Sequence, residues 1–183
     1  MIYLVDMSSL SPTARVILGM LRLGARTGYE IKQKIEISTR FFWGASYGQI
    51  YPELKRLEQA GLLESEDEPR GRVKRRVYRL TPAGEEALHG WLAGPGDLFE
   101  MRDEALLKFF FGDLLTREEV LANVRARREW LERVLELFRH IDEMRVEGWE
   151  DLRHPTLALR YGIGLVEWML SWYEQAERDL SSG

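Results

Sequence analysis

The sequence predicts a mostly α-helical chain with one small β-hairpin, built in two parts. Three observations predict it. Apolar residues recur at three- and four-residue spacing through most of the 183 residues, which is the signature of amphipathic helices. One stretch, 62–80, instead shows short β-branched runs around Gly and Pro, as strands joined by a turn do. Gly94-Pro95-Gly96-Asp97 then breaks the helical pattern where the composition turns acidic, so the expected domains are 1–93 and 94–183. A hydrophobic content of 45% with 11% aromatic is enough to build a core.

Ser11-Pro12 places a cap and a proline at a helix start, and Ala14, Ile17, Leu18 and Leu21 follow at helical spacing, so a first helix is expected over about 11–24. Thr27-Gly28 opens a second, roughly 28–39, on Ile31 and Ile35. Ser46 is expected to cap a third helix that runs to Ala60 on the stripe Ile50, Leu54, Leu57, with Gly61 just past its end. Pro52 lies inside it and predicts an irregular or bent first half. Leu62-Leu63-Glu64 and Val73–Leu80 read as two strands, and Glu66-Asp67-Glu68-Pro69-Arg70-Gly71 as the turn that projects between them. Thr81-Pro82 then caps a fourth helix carrying Ala87, Leu88, Trp91 and Leu92.

In the second part a short helix is expected at about Asp103–Phe111. Thr116-Arg117-Glu118-Glu119 has the form of a capping box and opens a helix to about Glu147. A last helix runs from Pro155 to about Leu180 with two apolar stripes: Leu159, Ile163, Val166, Leu170, Tyr173, Leu180, and Tyr161, Leu165, Trp168, Trp172. The preceding helix, with Val120, Val124, Leu131, Val134, Phe138 and Ile141, can cover only one stripe. A second copy of the chain most simply covers the other, and Leu165, Trp168, Leu170, Trp172 and Tyr173 are the expected dimer residues. Gly162 and Gly164 would let helices approach closely.

The net charge of −4 conceals a division: 14 Lys and Arg against 11 Asp and Glu over 1–93, and 12 against 19 over 94–183. The positive field belongs to the first part, and six of its cations fall within 70–79. A third helix followed by a basic hairpin is the order of parts with which a winged helix-turn-helix binds DNA, helix in a groove and hairpin on phosphates. Ser46, Tyr47 and Gln49, whose hydroxyl and amide groups donate and accept, are expected at base edges or adjacent phosphates. Lys55 and Arg56 are expected on the backbone, Arg72, Lys74 and Arg75 on phosphates beside the hairpin, and Tyr29 on the backbone or in the core.

Other chemistries find little support. Cysteine is absent, which removes disulfides, thiol nucleophiles and thiolate metal sites. No phosphate-cradling glycine loop or His-Glu-x-x-His is present, so neither cofactor nor metal is expected. Gly44-Ala45-Ser46-Tyr47-Gly48 matches the nucleophile elbow of a serine hydrolase, but that elbow needs a strand before Ser46 and a His and an acid later in a sheet-based fold. A protein-interaction adaptor that never touches DNA is the remaining alternative. The start lacks a basic leader and no apolar run approaches ~18 residues, so a soluble cytoplasmic protein, not a membrane one, is expected.

Gly28-Tyr29-Glu30-Ile31, then Ser46, Gln49-Ile50-Tyr51-Pro52, Leu54-Lys55-Arg56-Leu57, Gly61-Leu62-Leu63, and finally Tyr78-Arg79-Leu80-Thr81 and Gly84 resemble the pattern of PadR-family transcriptional regulators over most of 14–92. The resemblance implies a winged helix-turn-helix domain and, in longer members, an α-helical C-terminal dimerisation domain. It also implies a homodimeric repressor on a palindromic, inverted-repeat operator of double-stranded DNA. Some members sense phenolic acids or flat aromatic drugs. Six Trp, at 43, 91, 130, 149, 168 and 172, suit that sense, and Trp91, Trp168 and Trp172 are the expected lining of an aromatic effector pocket, ordinary core packing being the alternative.

Overall fold

A computed structural model describes residues 10–70, 73–96, 102–144, 146, 149 and 151–182. The chain divides into two compact units, Met1–Asp97 and Leu98–Gly183. The first contains α1 (Pro12–Arg22), α2 (Gly28–Glu36), α3 (Tyr47–Gln59), β1 (Leu63–Arg70), β2 (Val73–Leu80) and α4 (Pro82–Ala93). Ser11, Thr27 and Thr81 cap α1, α2 and α4, accepting from the N–H of Ala14 at 3.0 Å and of Glu30 and Gly84 at 3.1 Å each. Each cap is worth about 1 kcal/mol against Ala. At the end of α3, Gly61 takes φ 72°, a left-handed backbone that glycine adopts freely. Its N–H donates to Glu58 O at 2.9 Å while Leu62 N–H donates to Leu57 O at 3.0 Å, the paired bonds of a Schellman closure.

Three expectations for this unit are corrected. α2 ends at Glu36 and a separate 3-10 turn, Thr39–Phe41, follows it; Ser38 Oγ donates to Lys34 O at 2.5 Å and takes a carbonyl the helix would have used. α3 is continuous through Pro52, because the carbonyl Pro52 leaves without a donor is that of exposed Gly48, where water can replace the bond. β1 does not stop at Glu64 but continues to Arg70, in register from Leu63↔Leu80 to Arg70↔Val73. Glu64, Asp67 and Glu68 of β1 stand opposite Arg79, Arg76 and Arg75 of β2, and such cross-strand charge pairs favour extending the ladder.

Ile17, Leu18, Ile31, Ile35, Ile50, Leu54 and Val77 are sealed from solvent, with Leu57, Leu62, Leu63 and Leu88 nearly so. Burying one such side chain stabilises by about 1.5–3 kcal/mol, and this core fixes α3 against α1 and α2. Lys32 Nζ donates to Ala45 O at 3.0 Å, which ties α2 to the turn that launches α3.

The second unit contains α5 (Glu104–Phe110), α6 (Arg117–Glu143) and α7 (Arg153–Ser182). Thr116 and Glu119 close the expected capping box, Thr116 N–H donating to Glu119 Oε2 at 2.8 Å and Glu119 N–H to Thr116 Oγ1 at 3.3 Å. α6 ends at Glu143 rather than about Glu147; the backbone turns out of the helix at Met144, ψ 135°. Glu147 lies outside the described residues. α7 starts two residues ahead of Pro155, which the proline tolerates because first-turn N–H groups have no helical partner. Arg125 and Arg128 reach Glu177 at 2.6 and 2.5 Å and Arg139 reaches Glu167 at 2.9 Å, so α6 and α7 run antiparallel. Val120, Val124, Leu131, Leu135 and Phe138 of α6 are buried with Val166 and Tyr173 of α7; Val134 and Ile141 are only half-buried, and Leu135 takes the inner place expected for Val134. A Cβ on Gly162 would lie 3.0 Å from the Phe138 ring, whereas one on Gly164 would meet nothing within 4 Å. No helix among the described residues is long and apolar enough to cross a membrane.

Candidate nucleic-acid interface

The outer face of α3 opposes its buried stripe, and it is aromatic and polar. Tyr47 and Tyr51, one turn apart, are both exposed and stack with ring centres 6.1 Å apart. A Cβ on Gly28 would lie 2.8 Å from the Tyr51 ring, so the glycine gives that ring its seat. Tyr51 went unassigned in the sequence reading; its signal is the four-residue step from Tyr47, off the Ile50, Leu54, Leu57 stripe. Tyr29 is exposed and accepts from Gln33 Nε2 at 2.9 Å, which places it on the surface and not in the core.

Ser46 caps α3 through a box of its own. Its N–H and Oγ both donate to Gln49 Oε1, at 2.9 and 3.0 Å. Since a backbone N–H needs an acceptor, this assigns the amide: the Gln49 oxygen is occupied and its NH2 group points outward as a donor. Lys55 is exposed and has no hydrogen bond or ion pair among the described residues. Arg56 differs. Its Nε and Nη2 donate to Glu53 at 2.9 and 2.6 Å, and Ser11 Oγ donates to the same carboxylate at 2.6 Å. The Arg56 guanidinium, and then the Ser11 hydroxyl, hold Glu53 below the usual carboxylate range.

The hairpin carries fewer free cations than its sequence suggests. Arg75 Nη2 donates to Glu68 at 2.9 Å and its Nη1 lies 3.7 Å from Glu30. Arg76 donates to both Glu58 oxygens at 2.9 Å and to Ser65 Oγ at 2.8 Å. Arg79 pairs with Glu66, and Arg26 with Glu68. Arg56 and Arg75, expected at the DNA backbone and at phosphates, are both paired on the chain itself: Arg56 with Glu53 one turn earlier on α3, and Arg75 with Glu68 of β1 and Glu30 of α2. Lys74 is exposed with no such partner among the described residues. Arg72 lies outside the described residues.

Among the described residues no cluster of His, Asp and Glu could hold a metal ion. The second unit holds an open cavity of about 490 Å³ whose lining includes Arg102, Lys108, Phe109, Arg127, Trp130 and Tyr173. Arg127 lies over the Trp130 ring, 4.4 Å from its centre, and donates to Asp103 at 2.6 Å; its buried Nε has no acceptor. None of the three Trp expected around an effector lines this cavity. Trp91 is on α4 of the other unit, with Arg15 5.7 Å from its ring centre. Trp168 points to solvent, 63% exposed, and Trp172 packs edge-on against Phe109 and Tyr173 at 5.1 and 4.9 Å. Of the expected dimer residues, Leu165, Trp168 and Trp172 are exposed on one α7 stripe with Tyr161. Leu170 is half-buried and Tyr173 only 4% exposed. Both belong to the stripe that also carries buried Val166.

Comparison with known proteins places both units. The family model described as "Transcriptional regulator PadR-like family" matches residues 17–90, and "Virulence activator alpha C-term" matches 101–181. The chain is 37% identical over 105 residues to the negative transcriptional regulator PadR of Bacillus subtilis, covering 56% of this chain and 58% of that protein. The matched segments span between 38% and 58% of the curated relatives' lengths. Among solved structures, Bacillus subtilis PadR in complex with operator DNA is 27% identical, with TM-score 0.81, over 91% of this chain and 97% of that one. The same protein in complex with p-coumaric acid is 26% identical, with TM-score 0.74, over 94% and 97%.

Proposed function

Because the chain belongs to the PadR-like family of transcriptional regulators, we propose that it is a homodimeric, cytoplasmic DNA-binding repressor that grips an inverted-repeat operator with α3 and the β1–β2 hairpin. The observation that carries this reading is the exposed face of α3, where Tyr47, Tyr51, Lys55 and the Gln49 amide stand clear of the core, together with the likeness over nearly a whole operator-bound relative. Gln49 NH2 suits an acceptor on a base edge, the tyrosines and Ser46 suit phosphates or bases, and Lys55, Lys74 and Arg72 supply charge to phosphates. Tyr29, beside them at the start of α2, suits a backbone contact. The family and its relatives are regulators, not enzymes, and Ser46 opens a helix after a 3-10 turn instead of following a strand.

Release belongs to the second unit in this reading. Its cavity is lined by the rings of Phe109, Trp130 and Tyr173, by Arg102, Lys108 and the Asp103-paired Arg127, and by Asp103 and Glu104; the rings and cations suit a small aromatic acid, and the volume falls in the range of ligand pockets. The ligand can shift DNA affinity only by its differential affinity for the two states.

The experiment is selection of genomic fragments by the purified protein, followed by binding curves against salt with and without hydroxylated aromatic acids. A selected inverted repeat, bound with a steep salt dependence and released by an acid that quenches Trp fluorescence, is the expected result. A protein that selects no fragment and shows no salt-dependent retention on DNA is an adaptor, and the reading falls. An acid that binds without changing DNA affinity is not the effector.

A further inference from the structure

We infer that Arg75 and Arg76 are positioning residues that set the angle of the hairpin from its two faces, and are not phosphate contacts. Successive side chains of a strand point to opposite faces, so the two guanidinium groups address different neighbours. On one face Arg76 joins Ser65 of β1 to Glu58 in the last turn of α3: Ser65 Oγ donates to Glu58 Oε1 at 2.6 Å, and Arg76 donates to both partners at 2.8–2.9 Å. A carboxylate gains nothing from its own helix at the C-terminal end, where the dipole is negative. Glu58 is held there by the hairpin, and its carboxyl sits below the usual range through the Ser65 hydroxyl and then Arg76.

On the other face Arg75 and Arg26 share Glu68, and Arg75 also approaches Glu30 in the first turn of α2. Glu30 Oε2 accepts from Arg26 N–H at 2.7 Å, which closes the cluster on the α1–α2 turn. The hairpin is thus strapped to α3 by one arginine and to the start of α2 by its neighbour. Contacts to DNA from α3 and from the hairpin tip must be made together on phosphates of fixed spacing, so the strapped angle decides whether both engage. A guanidinium already neutralised by a carboxylate releases no counterion.

This inference rests on the DNA-binding reading above, and its test uses the full chain with the duplex that the wild-type protein selects from sheared genomic DNA. Binding is measured from 50 to 200 mM salt, beside thermal melting and binding to a scrambled duplex. Glu58→Gln and Arg76→Ala are expected to weaken the selected duplex about two- to fivefold, the range of an exposed pair, with the slope of log K against log salt unchanged and the preference over scrambled DNA reduced. The double exchange Glu58→Arg with Arg76→Glu restores the strap and recovers the affinity. Three results overturn the inference: Glu58→Gln tightens binding by freeing a cation, Arg76→Ala flattens the slope by about 0.9, or the double exchange stays as weak as the single. Should Arg76→Ala melt early, the near-isosteric Glu58→Gln still decides by the sign of its effect. A wild-type protein that selects no duplex overturns both the DNA-binding reading and this one, whereas a wild type that binds while the variants give any of those three results overturns this one alone.

Discussion

At the scale of the residue, the partner of a charge matters more than the charge. Lys74 has none among the described residues, so Lys74→Ala is expected to weaken specific and nonspecific DNA alike and to flatten the salt slope by about 0.9. In the proposed reading Gln49 has two separable tasks, because its oxygen serves the Ser46 cap and its NH2 is left to donate elsewhere. Gln49→Glu keeps the acceptor and removes the donor. Melting should therefore hold, while affinity for the selected duplex falls by about 1–3 kcal/mol; a loss of melting temperature instead would mean that the residue serves the cap alone. Candidates such as Ser46, Tyr47, Gln49 and Lys55 were legible because an amphipathic stripe identifies its own outer face, and Lys74 because six cations crowd residues 70–79. The Arg56 pair with Glu53 is a local one at i,i+3 spacing, whereas the pairing of Arg75 was not legible, since Glu68 stands opposite it only once the hairpin forms and Glu30 reaches it from another helix.

At the scale of the element, close approach and charge pairing hold α4 and the hairpin in place. A Cβ on Gly84 would lie 2.1 Å from the Leu62 carbonyl oxygen, and that backbone cannot rotate away as a side chain can. Gly84→Ala is expected to lower stability by about 1–3 kcal/mol, read as a fall in the denaturant midpoint. The hairpin also has a pH signature. Glu58 and Glu68 are both held below the ordinary value of 4.5, by Ser65 and Arg76 in the first case and by Arg75 and Arg26 in the second. Carboxyls depressed in the folded state contribute stability above their unfolded pKa and lose it as pH falls through the folded one. Melting temperature should fall below about pH 4.5 and less steeply in Glu58→Gln. These two carboxyls predict no change between pH 6 and 8, and a melting curve of Glu58→Gln parallel to wild type at every pH would remove the pairing from the account.

At the scale of the whole molecule, the α7 stripe of Tyr161, Leu165, Trp168 and Trp172 is exposed on the single chain, and Gly164, with open space around it, shares that side. A second copy would bury the stripe by two-fold symmetry and present two α3 helices about 34 Å apart, so operator half-sites should be inverted and about 10 bp apart centre to centre. Trp168→Glu would bury an unpaired charge at that proposed seam, which is costly. The expected outcome is a monomer by sedimentation with near wild-type helicity and much weaker operator binding. A wild type that sediments as a monomer at micromolar concentration and binds one half-site with full affinity would remove the dimer from the proposal.

The sequence by itself determined what depends on neighbours a few residues apart: the caps at Ser11, Thr27, Thr81 and Thr116, the Gly61 closure, the buried stripe of α3 and the two stripes of α7. Caps and stripes are local rules, and the motif from Tyr51-Pro52 to Tyr78-x-Leu80-Thr81 carried the family. Tertiary structure alone decided where β1 ended, because its acidic residues look like a turn until the arginines of β2 stand opposite. It also decided which cations were spent on carboxylates, that Tyr173 faces inward beside Trp172 facing out, and that Gly162, unlike Gly164, seats the Phe138 ring. Except for the Arg56–Glu53 pair within α3, each of these depends on a residue of another element, and no local spacing records that partner.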